Sequence, residues 1–556
     1  MTGGAHASAS MAAAVATALR AAGTGVAFGL PGGGSNLDVI GALEAAGCRF
    51  VLAHGETAAT IMAAAAAELT GRPSASVATR GPGAASATNG AAHALLDRQP
   101  VVLITDCVPA AERERISHQR LDQAGLLGTV TKGSFTLGPR NAAETSATAV
   151  RLACSGRPGP VHLDLDPDPA ETGCSYAAYD RIATASSRGI DPAALAAARA
   201  AVRGARRPVV VAGVGAAPSV PRHRRAATIT ALRRLVTPAA VPTLTTYKAR
   251  GAVGDGSPAA AGVATGATIE APVLAEADLV IGVGLDPVEL IPGPWPYPAP
   301  VVLVGAWAID DSRFFGDRLV AEVVGDVATI LDELAPDLRV DGDPDTATKR
   351  RQAARARVLD AVPASASDGL VPQQVVTIAR EVAPPGTIAT VDAGAHMLAA
   401  VPLWHVEDPG ELLISNGLAT MGFALPAAVA AALVRPFRVV CFTGDGGIGM
   451  ALAELETLAR LRLPVVVVVF NDTALSLIAA KQRPDRQGGP GAVRYAPVDF
   501  AATGRAMGLA AAQVGDPEGY RAALVEALRR DGPTLLDVAV DPAAYPAILE
   551  AIRGPS

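Results

Sequence analysis

The sequence is short of charged residues and of cysteines. Only 18% of its 556 residues are charged, below the usual quarter, while 50% are hydrophobic. The five cysteines are scattered, odd in number and include no CxxC pair. This pattern argues against a disulfide scaffold or a zinc site and fits a reducing compartment. We therefore expect a well-buried globular protein of the cytoplasm.

Features of nucleic-acid-binding and membrane proteins are also lacking. The net charge is −6 and the pI is about 5.8, so no basic excess points to nucleic acid. No uninterrupted apolar run reaches membrane-spanning length. The apolar start of the chain has no positively charged region, so we expect it to belong to the mature protein rather than to a signal peptide. A small-molecule ligand and a stable oligomer are the expected partners.

The chain is too long for one hydrophobic core. Strand-like apolar runs alternate with Ala- and Leu-rich helical stretches throughout, a pattern that predicts α/β domains with parallel sheets. Two polar stretches, residues 176–191 and 340–349, are typical of linkers. We predict three domains, each a mainly parallel sheet flanked by helices. Their expected bounds are 1–185, 186–350 and 351–556.

A glycine turn and an asparagine end two successive strand-like runs near the C-terminus. The motif Gly-Asp-Gly at 444–446 follows one run, and Asn471 closes the next. In a β-α-β unit both strand ends open at one edge of the sheet, where ligands bind. Asp445 and Asn471 are therefore expected to meet there. A carboxylate and an amide oxygen suit Mg²⁺, which usually bridges to phosphate oxygens.

Other interpretations of this segment are open. Residues 444–449 also fit G-x-G-x-x-G, which predicts an NAD site with Asp472 as the ribose acid. A plain structural turn is a further alternative. The chain contains a second Gly-Asp-Gly at 254–256, but 26 positions after its aspartate lies Ile281, which cannot bind a metal. The spaced asparagine is thus the more specific part of the pattern.

The segment resembles the signature of thiamine diphosphate (ThDP) enzymes. The resemblance implies that Asp445 and Asn471 hold Mg²⁺ by their side chains and Thr473 by its backbone carbonyl. A mild departure is Asp472, where a second asparagine is commoner. The glycines implied to bind the cofactor are Gly444, Gly446 and Gly447.

The N-terminal segment extends the resemblance. The turns at 30–33 and 81–83, with Glu56 between them, are similar to the pyrimidine-binding domain of the ThDP decarboxylase and acetolactate synthase group. By itself a glutamate at a helix start is usually a favourable dipole partner. The resemblance implies that Glu56 is the catalytic carboxylate, which promotes the imino tautomer of the cofactor from its N1′ atom.

Two further stretches of the C-terminal domain resemble cofactor-binding segments. In 416–423, Met421 is implied to be the wedge between the two cofactor rings, and the carbonyl of Ala419 to accept from the 4′-amino group. For Met421, ordinary core packing is the alternative. In the turn at 392–396, Gly394 and His396 are implied to contact the diphosphate or the substrate.

Substrate contacts are expected from loops at the rim of the site. Residues 118–132 resemble the segment that lines the substrate channel of acetolactate synthases, and 245–253 resembles a substrate-side loop whose cation would pair with a carboxylate. The residues predicted to face the substrate are His54, His118, Gln123, Lys248 and Arg250. FAD is doubtful, because residues 282–295 lack the arginine of flavin-binding relatives.

Together these features predict a ThDP- and Mg²⁺-dependent carboligase or decarboxylase. The expected reaction is decarboxylation of a 2-oxo acid followed by ligation to a second carbonyl, as in acetolactate synthases. A simple 2-oxo acid decarboxylase or an aldehyde lyase is the alternative within the family. An NAD-linked dehydrogenase and a non-catalytic ThDP-fold protein are alternatives of other classes. The resemblance also implies a homodimer or homotetramer with sites at the dimer interface.

Overall fold

The structure is a computed structural model that describes residues 2–167, 174–176, 189–217, 222–309, 312–363, 369–482 and 489–554. The chain divides into two units. The first comprises residues 1–187 with 218–225, and the second residues 188–217 with 226–556.

The first unit is built on a seven-stranded sheet of order β2-β1-β3-β4-β6-β5-β7, in which only the β5–β7 pairing is antiparallel. Its strands are β1 (Val26–Leu30), β2 (Arg49–Leu52), β3 (Ser74–Ala78), β4 (Val101–Asp106), β5 (Gly133–Leu137), β6 (Val161–Leu165) and β7 (Cys174–Tyr176). Its helices are α1 (Thr2–Ala21), α2 (Ser35–Ala45), α3 (Glu56–Thr70), α4 (Pro82–Leu96), α5 (Gln123–Gly128) and α6 (Ala142–Cys154).

The second unit begins with a six-stranded parallel sheet of order β10-β9-β8-β11-β12-β13. Its strands are β8 (Pro208–Ala212), β9 (Thr243–Thr245), β10 (Ala260–Val263), β11 (Leu279–Val283), β12 (Val301–Gly305) and β13 (Leu319–Val324). The helices of this part are α7 (Pro192–Gly204), α8 (Arg222–Val236), α9 (Ala271–Leu274), α10 (Val327–Leu334) and α11 (Thr346–Leu359). Helix α8 starts in the short stretch that belongs to the first unit.

A third sheet, also parallel, has the order β15-β14-β16-β17-β19-β18. Its strands are β14 (Ile388–Val391), β15 (Leu412–Ile414), β16 (Val439–Gly444), β17 (Val465–Asn471), β18 (Ala510–Val514) and β19 (Thr534–Ala539). The helices around it are α12 (Pro372–Val382), α13 (Met397–Leu403), α14 (Ala424–Val434), α15 (Asp445–Ala451), α16 (Glu454–Leu461), α17 (Ser476–Ala479), α18 (Phe500–Ala506), α19 (Pro517–Arg529) and α20 (Tyr545–Arg553).

The first and third sheets share one strand order. Numbered from their own first strand, both run 2-1-3-4-6-5, with β7 added at the edge of the first. In each, the order reverses between the first and third strands of the sheet. The carboxyl ends beside such a reversal form the crevice in which open α/β sheets bind ligands. Both sheets therefore offer a binding edge of the same kind.

The central strands are buried along their whole length, as expected for parallel sheets covered by helices on both faces. The run 465–470 in β17 is valine-rich and fully buried, and β3, β4 and β6 are equally enclosed. The predicted fold class, three mainly parallel α/β sheets flanked by helices, is confirmed. Among the described residues, no helix combines the length and apolar character needed to cross a membrane.

The predicted domain bounds remain predictions. The first, near residue 185, lies outside the described residues. The second, near residue 350, falls inside helix α11 rather than in an irregular linker. The acidic stretch before it ends in a turn in which Asp343 accepts from the backbone N–H of Asp345, and the helix starts at Thr346.

Candidate active site

Three strands of the third sheet deliver polar residues to one edge. Asp392 follows β14 directly, Asp445 follows the last residue of β16, and Asn471 is the last residue of β17. Strands β14 and β16 are the neighbours between which the strand order reverses. The residues predicted from the spaced motif thus lie at the carboxyl edge of the sheet, at its switch point.

The side chain of Asn471 is oriented by its neighbours. Its Nδ2 donates to Oδ1 of Asp537 at 2.9 Å and to the carbonyl of Val498 at 3.1 Å. The other carboxylate oxygen of Asp537 accepts from the N–H of Phe500. Because the amide nitrogen is used in this way, Oδ1 of Asn471 is the atom left to bind a cation.

The backbone at Thr473 is held in an unusual conformation. Its φ is +60°, a left-handed value that is uncommon for a residue other than glycine. Its carbonyl accepts from the N–H of Tyr495 at 2.8 Å, which leaves a second lone pair. The next residue, Ala474, donates its N–H to Oδ2 of Asp445 at 3.1 Å. The loop after β17 is thereby bound to the carboxylate after β16.

The electrostatics of this edge fit a bound divalent cation. Burial raises the pKa of Asp445 above its ordinary value. Burial also raises the pKa of Asp472 to about 6, and the negative charge of Asp445 adds to the effect. A divalent cation at Asp445 would relieve both the burial of that carboxylate and the repulsion that its charge exerts on Asp472. Within the described ranges no three His, Cys, Asp or Glu side chains form a metal cluster, so the donors here would be a carboxylate, an amide and a carbonyl.

Asp392 connects three segments of this edge. Its carboxylate accepts from the backbone N–H groups of Gly422 and Phe423, at 3.1 and 3.0 Å, and from the hydroxyl of Thr443 at 3.0 Å. Burial raises its pKa to about 6, against the lowering effect of these hydrogen bonds. A Cβ at Gly447 would overlap this carboxylate, so the glycine permits the close packing.

The turn that Asp392 holds carries two predicted cofactor residues. Ala419 has a φ of +52°, the second left-handed residue other than glycine at this edge. Met421 reaches the glycine turn, since a Cβ at Gly446 would lie 3.2 Å from its Cε atom. Met421 is only half-buried, which argues against plain core packing and fits a side chain with room for a ligand beside it.

His396 lies buried between two glycines. Its ring stacks on Phe470 with centroids 5.2 Å apart, and a Cβ at Gly394 would lie 2.7 Å from it. Gly444 is also close, because its Cβ would be 3.4 Å from Nδ1. Burial lowers the pKa of His396 to about 4, and its Nε2 has no hydrogen-bond partner among the described residues. A neutral imidazole with one free nitrogen suits a polar ligand at the strand ends.

Glu56 begins helix α3 in the first unit and is 9% exposed. A Cβ at Gly83 would lie 3.0 Å from its Oε1 atom, so the carboxylate packs against the first turn of α4. Gly81, which precedes that turn, has a φ of +65°. The predicted carboxylate and the predicted glycine turn therefore lie side by side.

Gln123 is a buried link rather than an open rim residue. Its Oε1 accepts from the N–H of Gly81 at 2.7 Å, and its Nε2 donates to Oδ1 of Asp164 at 2.8 Å. Burial raises the pKa of Asp164 to about 7. Gln123 also lines a cavity of about 360 Å³ together with Arg113 and Arg120. Gln123 thus has a structural role, which is to hold the turn at Gly81. A contact with the substrate would be a second role.

The other predicted substrate residues are placed differently. His54 and His118 are exposed in the connections that follow β2 and β4. Lys248 is buried and donates to the carbonyl of Ile414 at 3.2 Å. Arg250 makes a buried ion pair with Asp255, with distances of 2.9 and 2.6 Å. This ion pair gives the second Gly-Asp-Gly motif a structural role.

Sequence reasoning missed the residues that orient the site. Asp392 was part of a recognised motif, but its bonds to the 420–423 turn were not predicted, and Asp537 was not identified. The sequence contains one signal for Asp392, because this residue directly follows an apolar run. Asp445 similarly lies a short distance after another apolar run. Nothing in the sequence marks Asp537 as the partner of Asn471, which lies 66 positions earlier.

Comparison with known proteins identifies the family. The model of the thiamine pyrophosphate enzyme N-terminal TPP binding domain matches residues 9–126, that of the central domain 195–334 and that of the C-terminal TPP binding domain 392–538. The chain belongs to the thiamine diphosphate enzyme family. The resemblance stated from the sequence is confirmed, and the NAD-linked dehydrogenase alternative is wrong, because the G-x-G-x-x-G stretch lies inside the C-terminal ThDP-binding domain.

Relatives within this family match over most of their length. The acetolactate synthase isozyme 2 large subunit of Escherichia coli strain K12 is 32% identical, over 95% of each chain. The acetolactate synthase of Bacillus subtilis strain 168 is 29% identical, over 92% of this chain and 90% of its own. A probable acetolactate synthase large subunit of Methanocaldococcus jannaschii is 29% identical, over 95% and 92%. This ThDP enzyme is thus similar to acetolactate synthases in all three domains.

Asp392→Asn is predicted to loosen the turn that carries Met421. An amide offers one acceptor oxygen and presents an N–H₂ group to donors, so the buried bond from Gly422 or the one from Phe423 would be lost. The free energy of unfolding should fall by about 1–3 kcal/mol in urea titrations, and hydrogen exchange should accelerate at the amide that loses its acceptor. Asp408→Asn, at an exposed aspartate paired only with Arg233, is the control. Unchanged exchange in Asp392→Asn would contradict the assigned role.

Proposed function

We propose that this protein is a ThDP- and Mg²⁺-dependent enzyme that decarboxylates a 2-oxo acid and joins the remaining fragment to a second carbonyl. The observation that carries the proposal is the convergence of Asp445, Asn471 and Thr473 at the switch point of the third sheet. The similarity to proteins named acetolactate synthases supports the carboligase activity. A simple decarboxylase or an aldehyde lyase is the alternative within the family.

The residues of the third sheet are proposed to bind and orient the cofactor. ThDP, when bound, supplies the electron sink for loss of carbon dioxide from a 2-oxo acid. Asp445 and Asn471 would hold Mg²⁺ by side-chain oxygens and Thr473 by its carbonyl. Met421 would fix the bend between the rings, and the carbonyl of Ala419 would accept from the 4′-amino group. His396 would face the diphosphate. So would the glycines of the turns after β14 and β16, which are Gly394, Gly444, Gly446 and Gly447.

Glu56 is proposed to hold a proton at the N1′ atom of the cofactor pyrimidine. The carboxyl group is buried, so little water competes for its proton. A proton shared at N1′ makes the 4′-amino group a better base. A Cβ at Gly83 would lie 3.0 Å from Oε1 of Glu56, so the glycine allows the carboxylate to pack closely against this turn.

Substrate recognition is proposed to use polar residues at the rim of the site. His54 and His118 are exposed, and Gln123 faces a cavity. Lys248 and Arg250 are the proposed cations for the substrate carboxylate, although both already have protein partners. Of the two, Arg250 is the weaker choice, because releasing it would leave Asp255 unpaired in the interior.

Incubation with a panel of 2-oxo acids tests the proposed reaction. Carbon dioxide release together with a ligated 2-hydroxy ketone or 2-hydroxy-2-alkyl-3-oxo acid is the expected result. Carbon dioxide with a free aldehyde as the sole product would favour the simple decarboxylase. No consumption of any 2-oxo acid by protein loaded with ThDP and Mg²⁺ would contradict both.

The central domain is proposed to work without FAD. The glycine loops after β8 and β11 hydrogen-bond to each other, with the N–H of Gly215 donating to the carbonyl of Gly284 at 2.9 Å. The N–H of Val214 donates to the buried carboxyl of Glu289 at 2.8 Å. The backbone N–H groups of Gly215 and Val214 are thus already bonded within the protein. A stoichiometric flavin band in the visible spectrum of the purified protein would refute this proposal.

A cytoplasmic homodimer or homotetramer is the proposed state, with each active site between two chains. Two-fold symmetry would give two equivalent sites per dimer. The cytoplasmic assignment is supported by the thiols of Cys48, Cys107, Cys154 and Cys441, which are free.

Asp445→Ala is predicted to abolish Mg²⁺-dependent retention of ThDP. Mg²⁺ would lose its one charged ligand. The affinity for ThDP should therefore fall by more than about 100-fold, which exceeds the effect of changing a residue that only supports a metal ligand. Equilibrium dialysis of ThDP with and without Mg²⁺ measures this. The matched control is Asp531→Ala, at an exposed aspartate of the same domain. Wild-type ThDP affinity in Asp445→Ala would show that the assignment is wrong.

Glu56→Gln is predicted to slow activation of the cofactor rather than to weaken its binding. Glutamine keeps the size of the side chain but cannot share a proton with N1′. Exchange of the C2 hydrogen of bound ThDP, followed by NMR after acid quench, should slow by ~10²–10⁴-fold. Glu44→Gln, at an exposed residue of α2, should exchange as the wild type does. Equally fast exchange in Glu56→Gln would assign activation to another group.

A further inference from the structure

A cavity of about 310 Å³ lies in the second unit, where helix α11 faces β10 and the chain that follows α13. It shares no lining residue with the cofactor residues assigned above, although Arg250, the weaker of the two proposed substrate cations, is in its wall. Three arginines, Arg250, Arg351 and Arg355, line it together with Asp255 and with His405, whose ring pairs with Glu407. The arginines outnumber the carboxylate in this wall, which favours an anionic occupant.

Two arginine nitrogens of this cavity are buried without a hydrogen-bond partner among the described residues. They are Nη1 of Arg351 and Nε of Arg250. A buried N–H of a charged group that makes no hydrogen bond is costly, and folded proteins rarely leave one unmet. These donors therefore call for an acceptor that the described part of the chain does not supply.

The carboxylate beside the cavity is already saturated. Asp255 accepts from two nitrogens of Arg250 and from the N–H of Val406 at 2.9 Å. It pairs directly with one guanidinium, whereas Arg355 is only influenced by the more distant charges of Asp255 and Glu381. Nη1 of Arg355 donates to the carbonyl of Leu403, which satisfies a donor but supplies no negative charge.

The arginines are close enough to repel one another. Burial is the main cause that lowers the pKa of Arg355, and the positive charges of Arg250 and Arg351 add to it, against the opposing charges of Asp255 and Glu381. An anion placed among these side chains would reverse the repulsion. Arginine forks match the oxygens of phosphate in geometry, and such bonds are among the strongest hydrogen bonds in proteins.

We propose that this cavity is a binding site for a phosphate group, separate from the ThDP site. Its volume is at the lower end of the range for small-molecule sites. It would therefore hold inorganic phosphate or the phosphate group of a metabolite, and the rest of a larger metabolite would lie outside the cavity. The wall combines Arg250 from the turn after β9, Arg351 of helix α11 and His405 from the chain after α13. A bound phosphate would therefore bond these segments to one another.

Calorimetric titration of the protein saturated with ThDP and Mg²⁺ tests the proposal, because the diphosphate site is then filled. Inorganic phosphate, glucose 6-phosphate and ADP are titrated separately at constant ionic strength. Saturable binding is expected for at least one of them, with a rise of the melting temperature in its presence. Comparable affinity for all three would identify the phosphate group itself as the ligand. Tighter binding of ADP or glucose 6-phosphate would identify the ester as the ligand.

Variants of helix α11 make the test specific. Arg351→Gln should bind the phosphate probe about tenfold or more weakly, because it loses a charge-assisted bond, and Arg351→Lys should fall between Arg351→Gln and the wild type. Arg357→Gln removes the same charge from an exposed position of the same helix and should bind as the wild type does. ThDP binding verifies that each variant is folded.

Three results would overturn the proposal. They are no saturable binding of any probe, equal binding by Arg351→Gln and wild type, and Arg351-dependent binding of pyruvate in place of phosphate. The last result would make the cavity a site for the 2-oxo acid.

Discussion

A buried carboxylate that contacts no cation among the described residues organises the candidate active site. Asp392 lies at the end of β14 and is satisfied by backbone N–H groups of the 420–423 turn and by the hydroxyl of Thr443. Burying an ionised group is expensive unless its hydrogen bonds are complete. The hydrogen bonds of Asp392 are complete only when β14, the 420–423 turn and the glycine loop after β16 are all in place. The buried carboxylate therefore stabilises the arrangement in which Met421 lies against Gly446.

The first and third sheets have the same strand order. Each places its candidate site residues beside the point at which that order reverses. In the first sheet these are Gly81, with a left-handed φ, and the nearby Glu56; in the third they are Asp392 and Asp445. A cofactor with two chemically different ends can use two such edges, one for a pyrimidine and one for a diphosphate.

Much of the fold followed from the sequence, because hydrophobic periodicity and glycine turns are local signals. The spaced pair Asp445 and Asn471 was found because a β-α-β unit converts sequence distance into spatial proximity. Bonds between side chains of distant segments leave no such local pattern. Three such bonds were therefore visible only in the structure. They are the hydrogen bond between Gln123 and Gly81, the hydrogen bond between Asn471 and Asp537, and the ion pair between Arg250 and Asp255 of the second Gly-Asp-Gly motif.

The left-handed residues also escaped prediction. Ala419 and Thr473 adopt positive φ without being glycine, and both lie in loops that carry predicted cofactor contacts through backbone carbonyls. Strain of this kind persists only when surrounding bonds enforce it, as the Ala474 N–H to Asp445 bond does here. A carbonyl aimed by such strain is a fixed ligand, which is useful where a metal or an amino group must be positioned.

In the proposed function, Glu56 of one chain and Asp445 of another serve the same cofactor. Co-expression of Glu56→Gln chains with Asp445→Ala chains tests it most directly. In a mixed dimer one site would carry both defects and the other neither, so random pairing should restore about a quarter of wild-type activity. Activity no higher than that of the two variants assayed separately would contradict the account.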